Sequence, residues 1–179
     1  MTDLPKAVAR GPHSTEVRQR MTVFAVAVAT LVGLSAQTIA QQKALSDADR
    51  EAIEAMFVSY NRALIEKNYT ALREHLESPF IVIDDTSRVV SDMDTVIEGF
   101  RRRREGMDPQ GYSTSTPGPA LFLPLTESRV LMNRAIRHYK KDGTLLEEQA
   151  NVYIVSRSSG RWRILGVMPQ DPSQVGKLD

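Results

Sequence analysis

The chain has 179 residues, 41% hydrophobic and 25% charged, with a formal net charge of +1 and no cysteine. That length suits one domain, or one domain behind a targeting segment, and the mixed composition excludes a disordered, collagen-like or polytopic membrane chain. Without cysteine there can be no disulfide, thiolate zinc site, iron–sulfur cluster or cysteine nucleophile.

The first twenty residues carry Lys6, Arg10, Arg18 and Arg20 against Asp3 and Glu16, and no charge then occurs from Met21 to Gln42. The densest apolar run, Val23–Leu34, is followed at once by Ser35, Gln37 and Thr38. A positive start, a short apolar run and small residues at Thr38 and Ala40 read as a secretory signal peptide over residues 1–40. A spanning helix needs about 20 apolar residues, so an uncleaved N-terminal anchor is the alternative, and membrane contact is expected only in that case. Initiation at Met21 is a further possibility for the leader. Residues 41–45 then form a short linker, 46–170 the folded domain and 171–179 a tail. The domain is predicted to be secreted or periplasmic. It is close to electrically neutral, which gives no pull toward nucleic acid.

Ser46, with Asp49 three residues on, opens a capping pattern ahead of Ile53, Met56, Phe57, Tyr60 and Leu64. Those spacings of three and four predict an amphipathic helix over 47–66. Lys67-Asn68 breaks it, and Tyr69–Leu76 reads as a short second helix stopped by Pro79. Phe80–Ile83 is a strand, Asp84 to Ser87 a turn, and Arg88–Val90 a return strand. Ser91-Asp92 caps a third helix with Met93, Val96, Ile97 and Phe100 on one face, ended by Gly106 and Pro109. Strands follow at Tyr112–Thr116, Ala120–Leu125, Arg129–Lys140, Leu145–Arg157 and Trp162–Met168, the third and fourth joined by an Asp142-Gly143 hairpin turn. Helices gathered before a run of hairpins predict a segregated α+β fold, three helices packed on a curved, mainly antiparallel sheet. A βαβ parallel sheet is not expected, because no helix separates the last strands.

The stretch SYNRALIEKNYTALREHLESPFIVIDD (Ser59–Asp85), the third helix and the closing YIVSRSSGRWRILGV (Tyr153–Val167) resemble the nuclear transport factor 2-like superfamily, which includes ketosteroid isomerase and SnoaL-like proteins. The resemblance covers about residues 46–170 and implies a cone-shaped α+β barrel that encloses a pocket and often dimerises through its sheet. It specifies a fold more than a function, since that fold hosts enzymes and binding modules alike. An ungapped alignment to ketosteroid isomerase puts Tyr60 on that family's oxyanion tyrosine and Asp84 on its general-base aspartate. A carboxylate shuttling a proton beside a phenol that steadies the enolate oxygen is a coherent pair; ketosteroid isomerase is itself a standard example of such chemistry. The family's second donor falls near Asn151 or Val152. Tyr60 also lies on the apolar stripe of the first helix, where it can fill core, and Asp84 stands beside Asp85, where carboxylates serve turns.

The remaining polar candidates are weaker. Arg134, Asn151 and Tyr153 on the long hairpin could line a semi-polar cavity or bond to one another, and alternation leaves undecided which sheet face points inward. Arg101–Arg104 reads as a solvated helix end rather than an anion site. His75 and His138 could join Asp84 or Glu147 in a two-histidine, one-carboxylate set, but no close spacing supports one, and no metal or cofactor is expected. The sequence points to an exported small-molecule-binding domain, a homodimer, for a small apolar or semi-polar ligand. Its alternatives are a cofactor-free isomerase or dehydratase using Asp84 and Tyr60, and a purely structural dimerisation module.

Overall fold

The structure, a computed structural model, describes residues 44–176. In chain order the elements are α1 (Asp47–Ile65), α2 (Tyr69–Arg73), β1 (Leu76–Val82), β2 (Arg88–Val90), α3 (Met93–Glu105), β3 (Tyr112–Pro117), β4 (Leu121–Thr126), β5 (Arg129–Lys140), β6 (Leu145–Ser156) and β7 (Arg163–Gln170), with single 3₁₀ turns at Asp108–Gln110 and Pro172–Gln174. The leader assigned to residues 1–40 lies outside the described residues. Among those described, no helix is long and apolar enough to cross a membrane.

Local chemistry starts the helices where the sequence suggested. Ser46 Oγ accepts from the Asp49 amide at 3.1 Å, occupying an otherwise orphaned donor of the first turn of α1. Lys67 takes a φ of 55°, and Asn68 then caps α2 by accepting from the Ala71 amide at 3.0 Å. Asp92 caps α3, accepting from the Asp94 and Thr95 amides. The apolar stripe of α1 delivers Ile53, Phe57 and Tyr60 to the core, where Leu72, Phe80, Val96 and Ile97 meet them. Ile53, Phe57 and Leu72 are fully buried, and each such side chain contributes about 1.5–3 kcal/mol through loss of apolar contact with water.

The seven strands form one sheet in the order β2-β1-β7-β6-β5-β3, with β4 also on β5. β3 and β4 share one edge of β5: β3 pairs with its C-terminal half and β4 with its N-terminal half. The Pro117-Gly118-Pro119 break lies between them, and the Gly118 amide bonds to Ala135 O at 2.9 Å. Register shifts in the β3–β5, β4–β5, β5–β6 and β6–β7 pairs curve the sheet, since an extra residue on one strand bends it and raises its twist. The concave face presents Val130, Met132, Arg134, Ile136 and His138 of β5 opposite Val155, Tyr153, Asn151, Gln149 and Glu147 of β6. The helices cover this face.

The expected α+β fold, three helices on a curved and mainly antiparallel sheet, is what the structure shows, with three details that differ from or add to it. The sheet is curved but does not close into a barrel. It is mixed, because β1 pairs in parallel with β7; the chain reaches that pairing through the whole domain rather than through a single crossover helix. Finally, α2 ends at Arg73 and Pro79 lies inside β1. The register of β1 against β7 shifts between Leu76 and Ile81, so proline sits at an irregularity where its missing N–H costs no ladder bond.

Candidate functional site

A cavity of about 220 Å³ lies between the C-terminal half of α1, α3 and the concave sheet face. Its apolar wall is built from Tyr60, Leu64, Phe100, Met107, Ile136 and Val167, and its polar wall from Asn61, Arg103, Ser115, His138, Gln149 and Asn151. Tyr153, Tyr112, Arg104 and Pro169 complete it. This is the usual build of a small-molecule site, mostly apolar with a few placed polar groups, at a size below the common range of about 300–1,000 Å³. A larger hollow of about 340 Å³ at Met56, His75 and Trp162 is rimmed by exposed Glu74 and Arg161 and is a surface feature.

Three of the sequence candidates meet in the cavity wall: Tyr60, Asn151 and Tyr153. Tyr60 comes from α1, and the other two are successive inward residues of β6. The two phenol rings stand edge-on, centroids 6.3 Å apart. Asn151 Nδ2 donates to Tyr153 Oη at 3.2 Å, whereas the Tyr60 hydroxyl bonds to no group among the described residues. Burial pushes both phenols upward from the ordinary tyrosine value; for Tyr60 the neighbouring Tyr153 adds to it, and for Tyr153 the Asn151 bond and Arg134 charge oppose it. Both therefore stay protonated, each with an O–H proton available to donate.

Opposite them runs a chain of hydroxyls that sequence reasoning missed. Tyr112 Oη lies 2.5 Å from Ser115 Oγ, which lies 2.7 Å from His138 Nδ1. Asn61 Nδ2 donates to Ser115 O at 3.3 Å, tying this strand to α1. His138 Nε2 is buried without a hydrogen bond of good geometry, with Glu147 Oε1 3.8 Å away. Desolvation pulls the His138 pKa down more than Glu147 pulls it up, so the imidazole is neutral near pH 7. Arg103 spans the rim, its Nη2 donating to Glu147 and, at 3.1 Å, to Gln149 Oε1. Arg104 is only 8% exposed, contrary to a wholly solvated helix end. Its guanidinium stacks 3.9 Å over Tyr112, donates to Leu64 O and Ile65 O at the end of α1, and pairs with Asp108 at 2.6 Å. The signal for His138 was its parity with Ile136 on β5, unreadable until the inward face was known.

Asp84 and Arg134 are not brought to the cavity. The strand ends at Val82, so Asp84 leaves the alternation that turns Phe80 inward and enters the β1–β2 turn. Its carboxylate there accepts from the Thr86 amide and hydroxyl at 3.0 and 2.8 Å and from Arg88 at 2.8 Å. The Thr86 bonds, then the Arg88 charge, hold it below the ordinary carboxylate range, which makes it a weak base as well as a distant one. Arg134 does face inward, but its Nη2 donates to both oxygens of Glu54 at 2.7 and 2.6 Å while its guanidinium covers Phe57 at 4.7 Å. It braces α1 to the sheet. No group of three or more His, Asp or Glu side chains that could hold a metal occurs among the described residues.

An open, curved sheet with three helices on its concave face and a semi-polar cavity between them is the architecture of NTF2-like proteins. The family model described as NTF2-like protein (DUF6841) matches residues 48–172, and the chain belongs to that family. Among solved structures, Aln2 from a Streptomyces species superposes with a TM-score of 0.60 at 10% identity, over 73% of this chain and 96% of that one. A protein of unknown function with a cystatin-like fold from Nostoc punctiforme gives 0.58 at 13% identity, over 72% and 96%. An NTF2-like protein from Novosphingobium aromaticivorans gives 0.56 at 15%, over 78% and 88%. At such identities the likeness is one of fold alone. No curated protein matches the chain.

Proposed function

We propose that this chain is a small-molecule-binding domain whose ligand occupies the cavity between α1, α3 and the sheet. One observation carries the reading: the Tyr60 hydroxyl, 3% exposed as a residue, faces this cavity with no protein partner among the described residues. A buried phenol ordinarily finds a partner, and a ligand oxygen supplies one. The cavity also speaks against a purely structural module filled by its own side chains. Export by the leader at residues 1–40 and homodimerisation through the outer sheet face belong to the same proposal.

The test is an NMR titration of the ¹⁵N-labelled protein with phenylacetamide and benzyl alcohol, compact rings bearing one polar group. Saturable shifts confined to the cavity strands and helices support the reading. Shifts scattered over the surface, or none with either probe, count against it. For the second reading, a cofactor-free isomerase or dehydratase, Tyr60 remains a placed donor, but proton transfer would fall to His138, since Asp84 is committed to its turn.

A further inference from the structure

The cavity wall holds Arg103, Arg104 and His138 but no carboxylate among the described residues. The nearest acid beside His138, Glu147, already receives Arg103. Arg104 is spent on Leu64 O, Ile65 O and Asp108. Arg103 is different: it uses Nη2 alone, on Glu147 and Gln149, and its Nε and Nη1 donate to nothing among the described residues. Its side chain is 56% exposed, so these donors stand at the mouth rather than in the interior. The inward row of β6 runs from Gln149, beside Arg103, through Asn151 to Tyr153, beside Tyr60 and Phe57. Because the Tyr153 hydroxyl reaches back to Asn151, the aromatic end begins about 7 Å, two residues of strand, from Gln149, a span that a small aromatic acid bridges.

We propose that the cavity selects a small phenolic carboxylic acid, its ring among Tyr60, Phe100 and Tyr153 with the ring hydroxyl accepting from Tyr60, and its carboxylate at the mouth on Arg103. The polarity of the site fits that orientation. A carboxylate left at the rim keeps part of its hydration, avoiding the cost of burying a charge, and guanidinium–carboxylate hydrogen bonds are about twice as strong as neutral ones. The ring meets three aromatic side chains whose own packing is already edge-on, Tyr60 against Tyr153 and against Phe100. Glu147 keeps Nη2, and its charge beside Arg103 opposes the incoming carboxylate. This inference rests on the ligand-binding reading above and names the class of ligand.

The experiment is calorimetric titration of the full chain with 4-hydroxyphenylacetate and with its neutral isostere 4-hydroxyphenylacetamide. The acid is expected to bind at least tenfold tighter than the amide. Arg103→Gln should collapse that ratio toward one, and Glu147→Gln should raise acid affinity severalfold by removing a like charge beside the carboxylate. Both positions are partly solvent-exposed, and circular dichroism of each variant checks that the fold is kept. Amide binding as tight as or tighter than acid binding, or an acid-to-amide ratio unmoved by Arg103→Gln, overturns the carboxylate inference while leaving the cavity a ligand site. Binding of neither probe overturns both.

Discussion

A buried arginine such as Arg134 is an asymmetric partner. Its side chain is 5% exposed while that of Glu54 is 36% exposed, so the two ends of the ion pair stand in different media. Removing Glu54 strands a guanidinium in the core; removing Arg134 leaves a carboxylate that water can solvate. Breaking a fully buried pair costs about 3–5 kcal/mol, and with one end wet Glu54→Ala is expected to cost about 2 kcal/mol. Arg134→Met, which fills the same space over Phe57, should cost less than half of that. Urea unfolding of both variants checks the order, and a larger loss for Arg134→Met would contradict it. His138 behaves differently again. Burial lowers its pKa from the ordinary 6.5, and that of His75 likewise, so on acidification the unfolded chain takes up protons before the folded one. Stability is full above pH 6.5 and is lost as pH falls through the folded-state values. The melting temperature should therefore drop between pH 7 and 5, and His138→Gln should flatten that slope. A slope unchanged in the variant would show that His138 does not titrate differently on folding.

Among the elements, the parallel contact between β1 and β7 has the least room. Ile81 pairs with Gly166, and a Cβ added at Gly166 would stand 2.6 Å from Ile81 O, a backbone atom that cannot swing away. Overpacking typically costs about 1–3 kcal/mol, and Gly166→Ala should lie at the upper end of that range in a urea titration. A neutral result would mean that the strands can separate locally. This pairing was also the least legible from sequence. The starts of α1 and α3 were readable because Ser46 and Asp92 are caps with a local mechanism, and the β5–β6 hairpin because Asp142 and Gly143 mark its turn. The partner of β1 is a long-range fact that no local pattern carries. The site was half legible for a related reason. Tyr60 sits on an apolar stripe whose inward face is unambiguous, whereas both faces of β5 and β6 mix polar and apolar residues. Asp84 was singled out by an ungapped alignment, which carries no information on the Thr86 and Arg88 bonds that hold its carboxylate in the turn.

At the scale of the whole molecule, the convex sheet face is the part still without cover among the described residues. Leu121, Leu123 and Leu125 of β4 are 40%, 38% and 46% exposed. By register they continue the row of Leu131 on β5 and Ile154 on β6. Contiguous exposed apolar surface marks an interaction site, and a second copy of the chain is the occupant proposed for it. Sedimentation should then show a dimer, converted to a folded monomer by Leu123→Asp with Leu125→Asp. A wild-type chain that sediments as a monomer removes that proposal.

The place of β7 in the sheet has a further consequence, for the timing of folding. Among the described residues only the three of β2 flank β1 on its other side, so the first strand gains its second neighbour when the last strand arrives. The start of α1 waits on the same segment, because Trp162 Nε1 donates to Asp49 across 113 residues of chain. Contacts this distant in sequence are slow to form, because closing the intervening loop must precede any gain from them. A nascent chain halted before Arg163 holds its helices and hairpins with β1 unpaired on one edge, a sticky and protease-sensitive species. The domain completes its fold only after its own synthesis is over.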